Sequence, residues 1–236
     1  MIRNLAFTLF NIFRNNLNSC SMNNFINCHD SVRNVNAWKR IKSTCVALFI
    51  LGQCFAQTSN ESNDLPYYEI PEYPDKYTAG TVAARLVDGL GFRYYWATEG
   101  LRDEDLGFKP NEEARTILET IDHILGLSKV IVNATVKVVN EQDEGKELTF
   151  PELRKQTLMN IKKAADILRT CSDKDFYDFK IIFAGTQGNS EFPFWNNLNG
   201  PIADAIWHCG QIVSLRRSSG NPFNSKVSVF NGRLRN

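Results

Sequence analysis

Asp204, His208 and Gln211 recur at i, i+4 and i+7 within the stretch from Gly200 to Pro222. On a helix, at about 100° per residue, these three side chains share one face. A carboxylate and an imidazole one turn apart can share a metal ion, as a histidine pair does at the same spacing. The ends of the stretch are marked. Pro201 suits a first helical position, where its missing N–H is not needed. Gly220 suits a left-handed cap, and Pro222 blocks continuation. Ile202, Ala205, Ile206, Ile212, Val213 and Leu215 are apolar, so the spacing predicts a buried helix carrying polar groups inward. Arg216 and Arg217 read as its solvated last turn, favourable with the helix dipole. Gln211 is either a hydrogen-bonding partner that orients a ligand or a packing amide. Cys209 has no histidine placed by spacing to activate it as a nucleophile.

Three more helices are predicted to hold this one. The first runs from about Thr78 to Thr98, with Val82, Leu86, Leu90 and Tyr94 as its stripe and Ala83, Val87 and Phe92 widening it. Gly89 and Gly91 weaken it by about 1 kcal/mol each, but glycine also admits a close neighbour. The second starts near Asn111, a good N-cap, and carries Ile117, Ile121, Ile124 and Leu125. His123 lies in its middle, with Thr116, Glu119 and Thr120 near its face, while Asp122 points away. The third begins at Thr149 with Pro151 and Glu152 in a capping-box pattern, and ends near Cys171. Between it and the last helix, Asp173 to Asn199 is long for a loop and rich in aromatics: Phe176, Tyr177, Phe179, Phe183, Phe192, Phe194 and Trp195. Long loops in compact domains suggest function. This one is read either as a lid over core surface or as a wall touching substrate, and Ile181 to Phe183 as a short strand. Lys226 to Gly232 is β-prone and is expected to lie back along the body. The fold class is therefore all-α: an antiparallel four-helix bundle with a long aromatic loop before the last helix.

The N-terminal part is different. Residues 1–56 hold six Lys/Arg against one acidic residue, and the remainder 21 against 25. A mildly acidic body argues against nucleic acid as a partner. Lys39 to Lys42 reads as a basic n-region and Cys45 to Leu51 as an apolar run, well short of the roughly 18 residues that span a bilayer. Cys54-Phe55-Ala56 offers small residues for cleavage. The expectation is a secretory signal peptide cut after Ala56, giving a periplasmic or secreted protein with no stable membrane span. A lipoprotein anchor at Cys54 is disfavoured by the preceding Gln53. The residues before Lys39 reflect either a later start at Met22 or a true extension. Residues 57–77, with Pro66, Pro71 and Pro74, form an extended arm that packs its tyrosines on the body. The body proper is 78–236. Cys28-His29 has no second pair at zinc-finger spacing. Cys171 and Cys209 are open to either a disulfide or two buried thiols.

Three stretches together resemble the DinB/YfiT-like superfamily. Trp207-His208-Cys209-Gly210-Gln211 and the following run to Pro222 resemble its last helix, where the pattern is close to His-x-x-x-His-His-Arg-Gly-Gln. Glu119 to Gly126 resembles the ligand region of its second helix, and Leu90 to Pro110 its first helix and following loop. The resemblance covers roughly 78–236. It implies a four-helix bundle holding a divalent metal, commonly zinc or nickel, through three residues. Carried over by position, His123 matches the second-helix ligand and His208 the second histidine of the last-helix pair. Asp204 stands where the first histidine of that pair belongs. Two histidines and one carboxylate are an accepted set with open positions. Trp207 and Cys209 replace the usual histidine and arginine beside the ligand. The expected activity is metal-dependent hydrolysis of a small molecule, with thiol-dependent transfer or isomerisation as one alternative and a non-catalytic binding bundle with a vestigial site as the other. Glu119, one turn before His123, is the best available base. A small-molecule substrate or a thiol is the expected partner, and a homodimer is left open.

Overall fold

Four of the described helices start at short Thr or Ser motifs whose side chains and backbones cap one another. The computed structural model describes residues 65–141 and 147–236, within a unit spanning Asn63–Asn236. The signal peptide and residues 57–64 of the arm lie outside the described residues. Thr78 and Thr81 exchange hydrogen bonds to open α1, Ala79–Thr98. Glu119 accepts from the backbone N–H and hydroxyl of Thr116 to open α3, Ile117–Val136. Thr149 and Glu152 do the same for α4, Phe150–Thr170, as the sequence predicts. Between α1 and α3 lies a single acidic turn, α2, Asp103–Leu106. The last long helix is α7, Ala203–Ser218.

The chain is mostly helical. α1 packs on α4 and α7, and α3 packs on the same two helices. The core between them is apolar. It takes Val87, Leu90 and Tyr94 from α1, Ile117, Ile121 and Ile124 from α3, Leu158, Ile161 and Leu168 from α4, and Ala205, Cys209 and Ile212 from α7. On α1 the buried stripe is Ala83, Val87, Leu90, Tyr94 and Ala97, while Val82 and Leu86 are exposed. Of the expected stripe, Ala83, Val87, Leu90, Phe92 and Tyr94 are buried, and only Val82 and Leu86 turn to solvent. The small residues face inward because α1 approaches α4 closely: a Cβ on Gly80 would stand 2.4 Å from the Leu168 carbonyl oxygen.

Of the arm's tyrosines, Tyr67 and Tyr68 pack on the body, while Tyr73 and Tyr77 stay exposed. Tyr67 is buried and donates its hydroxyl to Asp88, both of whose carboxylate oxygens accept from Nη2 of Arg169. The ring of Tyr67 lies in the notch left by Gly91, where a Cβ would come within 2.5 Å of it. Tyr68 packs against Tyr95 and Trp96, and its carbonyl accepts from the Trp96 indole.

The region between α4 and α7 is built rather than irregular. It holds α5, Asp173–Asp178, and a hairpin of β2, Lys180–Phe183, with β3, Ser190–Pro193. A two-residue strand, β1, Val139–Asn140, joins β2 in parallel, pairing Val139 with Ile182. The short turn α6, Trp195–Asn197, leads into a π-helical turn at Leu198–Ile202. Phe179 and Phe194 seal the core and Phe176 packs on it, which is the lid reading. Tyr177 and Trp195 stay exposed. Near the C-terminus β4, Val227–Ser228, pairs with β5, Arg233–Leu234. The backbone N–H of Ile70 donates to the Gly232 carbonyl, so this segment does lie back on the arm.

Candidate metal centre

His123 sits two turns into α3, one residue from the buried Ile124 and two from the buried Ile121, and so on the edge of the core face. The helix starts later than Asn111 suggests. Asn111 instead accepts from the Ala114 N–H in a local turn. The reciprocal Thr116–Glu119 pair satisfies more of the orphan donors and wins the N-terminus.

The other two groups come from α7. Pro201 is not its first residue: it lies inside the π turn, where Gly200 adopts φ −99°, ψ −105°, outside the helical region. The kink lets α7 begin afresh at Ala203, which puts Asp204 in its first turn, where the helix dipole favours a carboxylate. Ala205, Cys209, Ile212 and Arg216 form the buried stripe. Asp204 and His208 flank it on the side of α3. The helix is therefore buried along one stripe only, and its polar face is half-exposed at a groove, contrary to the reading of a wholly buried helix.

The three groups converge. His123 Nε2 lies 3.3 Å from Asp204 Oδ2, and His208 Nε2 lies 3.4 Å from Asp204 Oδ1. The two imidazole rings are nearly perpendicular with centroids 4.6 Å apart. One ligand atom from each residue can be chosen so that all lie within 4.8 Å of one another. Metal–ligand bonds of 2.0–2.1 Å in tetrahedral array imply ligand–ligand edges of about 3.3–3.4 Å; each histidine lies at about that distance from Asp204, but each from a different carboxylate oxygen. Gln211 Oε1 lies 2.7 Å from His208 Nδ1; accepting a proton from Nδ1 there would leave Nε2 for a metal ion. His123, Asp204 and His208 are thus placed so that they can hold a metal ion, and Gln211 is the residue that orients one of them.

A pocket of about 780 Å³ opens beside His208. Pro110, Ala114 and Arg115 form one wall, and Trp207, Gln211 and Leu215 form the other. The aromatic segment does not line it. That segment instead borders a separate groove with Tyr177, Phe192 and Trp195. Arg115 had no sequence signal, because 111–116 read as ordinary helix. Trp207 was visible only as a neighbour of His208. Its side chain is 71% exposed.

Glu119 is not among the converging groups. Its carboxylate is occupied by Thr116, whose backbone and hydroxyl hydrogen bonds hold it below the usual carboxylate range, and a carboxylate held that low is a weak base. Cys209 is fully buried, and burial pushes its thiol up to about 12, so it does not supply a thiolate. Cys171 and Cys209 are both free thiols. Asp122 is exposed, as predicted. Arg216 overturns its expected role: it is buried, and its guanidinium donates to the carbonyls of Trp96, Ala97 and Glu99 at the end of α1. Those carbonyls have no partner within their own helix, which is why a cation is drawn in. Arg217 alone remains in solvent, over the ring of Phe223. Among the described residues, no helix is long and apolar enough to cross a membrane.

No family model, curated protein or solved structure matches this chain.

Proposed function

We propose that this chain is a secreted metal-binding protein of the DinB/YfiT type, an antiparallel four-helix bundle that catalyses metal-dependent hydrolysis of a small molecule. The observation that carries the reading is the convergence of His123, Asp204 and His208, with one ligand atom from each within 4.8 Å of the others, beside an open pocket. The mutual packing of α1, α3, α4 and α7 supports the bundle. The short apolar run before Ala56 supports export. Two imidazoles and a carboxylate suit a divalent transition metal, and the family resemblance favours zinc or nickel.

Three protein donors leave a position for water or substrate. A divalent ion held there supplies Lewis acidity, polarising a carbonyl or phosphoryl oxygen and acidifying water. The chain does the positioning. Gln211 fixes the tautomer and rotation of His208, Asp204 balances part of the ion's charge, and Trp207 with Pro110 shields the pocket flank. One observation favours thiol transfer as a second reading. With Glu119 engaged in its cap, the pocket lining holds no carboxylate base. A thiol that ionises on ligation needs none.

Elemental analysis of the full chain and its His208→Ala variant tests the site. Binding of about one zinc or nickel per chain, lost in the variant, is the expected result. No metal in either protein after incubation with both ions overturns the proposal. Ester hydrolysis against thiol consumption by the zinc-loaded chain then separates the two chemistries.

A further inference from the structure

The pocket beside His208 has a one-sided polarity. Arg115 is the only side chain in its lining with a permanent charge, and no carboxylate lines it. Arg115 is exposed and makes no ion pair or hydrogen bond among the described residues. Of the acidic residues flanking it in sequence, Glu112 pairs with Lys109, Glu119 is taken by Thr116, and Glu113 is exposed outside the pocket lining. Gln211 spends its carbonyl oxygen on His208, so its amide N–H groups remain as donors. Opposite stands the indole of Trp207, 71% exposed on the helical turn that also carries His208. Pro110, Ala114 and Leu215 complete an apolar floor. The exposed indole offers an open face on which a planar ligand can stack. The volume of about 780 Å³ is that of a small-molecule site.

We propose that this pocket selects small organic anions with a planar body, the anionic group paired two-pronged with Arg115 and the body stacked on Trp207. The inference rests on the metal-site reading, since it makes this pocket the substrate-binding part of the same centre. The guanidinium fork matches a carboxylate or a phosphate ester equally. The far end of the ligand is thereby held at His208, where the reacting bond belongs. Arg115 and Trp207 sit on different elements, so together they fix both position and orientation.

The test uses calorimetric titration of the full chain, stripped with a chelator so that no ion can ligate the probe. Benzoate, phenyl phosphate, benzyl alcohol and benzylamine are the probes, with acetate as the probe lacking a ring. Benzoate and phenyl phosphate are expected to bind at least about tenfold more tightly than the alcohol or the amine. Arg115→Met should remove that preference and Arg115→Lys should keep part of it, because lysine retains charge without the fork. Trp207→Leu should weaken benzoate severalfold and leave acetate unchanged. Benzylamine binding as well as benzoate, unaltered affinity in Arg115→Met, or no binding of any anion overturns the inference. Metal content is measured on the same preparations. Anion binding without metal uptake overturns the metal reading and leaves the anion site standing, and metal uptake without anion binding does the reverse.

Discussion

Gln211→Leu removes one hydrogen bond and tests the logic of the site. The bond is short, 2.7 Å from His208 Nδ1 to Gln211 Oε1, and it decides which ring nitrogen keeps its proton. With leucine, His208 is free to carry the proton on Nε2 and to rotate away from Asp204. Loss of such an orienting partner costs about 10–100-fold in metal affinity elsewhere. Gln211 is exposed, so water can replace part of what it supplies, and the lower end of that range applies. The expected loss is about tenfold in zinc affinity, or about 1.4 kcal/mol. Gln211→Glu should instead hold or improve affinity by a few-fold, since a carboxylate makes the imidazole a better donor to the metal. Competition against a chromogenic chelator at fixed pH measures both. Wild-type affinity in Gln211→Leu would refute the tautomer argument. Equal loss in both variants would show that Gln211 acts through packing instead.

Arg216→Met should destabilise the protein by about 2–4 kcal/mol in urea unfolding, because three carbonyls at the end of α1 lose a charged donor in a buried place; a loss under about 1 kcal/mol contradicts the clamp. The Arg102 guanidinium, with Ser219 and Asn221, holds the buried Asp105 carboxyl far below the usual range. A depressed folded-state pKa contributes stability that is complete above the unfolded value of about 4 and lost as pH falls below it. Asp105→Asn should therefore lower Tm at neutral pH and flatten its decline in acid, and an acid limb parallel to wild type would refute this. Gly91→Ala should be destabilising by about 1–2 kcal/mol net, since the clash with Tyr67 outweighs the gain in helix propensity. Gly126→Ala, with nothing within 4 Å of its Cβ, should gain up to about 1 kcal/mol on the same thermal-melt measurement. Asp204→His should keep zinc with three imidazoles but weaken the metal-free fold slightly, since a cation at the start of α7 opposes the helix dipole; zinc per chain and the metal-free Tm check both halves.

Much of this molecule was readable in its residues, and the exceptions share a cause. The capping box at Thr149 and Glu152, the left-handed Gly220 at φ 84°, and the Ile181–Phe183 strand are local features, set by a few neighbouring side chains. The shared face of Asp204, His208 and Gln211 follows from helix geometry alone, and the sequence placed it correctly. What it misplaced depends on tertiary partners. Val82 and Leu86 look like part of the core stripe, but they turn to solvent while Gly80 and Ala83 admit the neighbouring backbone. Arg216 looks like a solvated helix end until the unpartnered carbonyls of α1 arrive beside it. Arg115 carries no local signal at all, because its place in the pocket is created by α7. Glu119 illustrates competition between two local uses of one residue, with the cap taking the carboxylate that a catalytic reading would need.

The geometry of the metal centre is tied to features well away from it. The rotation of α7 is fixed by the buried stripe of Ala205, Cys209 and Ile212, each with no more than 2% exposure. That rotation leaves Asp204 and His208 no direction but the groove beside α3. Its axial position is fixed at the other end, where Arg216 binds the last turn of α1 and Asn221 binds Asp105 and Gly100. Arg216 lies eight residues, about 12 Å, beyond His208 along the helix. A shift of α7 by even 1 Å would open one of the two ligand edges while leaving every ligand residue present. The candidate site therefore has two separable parts: polar groups chosen by residue type on α3 and α7, and a buried arginine clamp that holds those groups together.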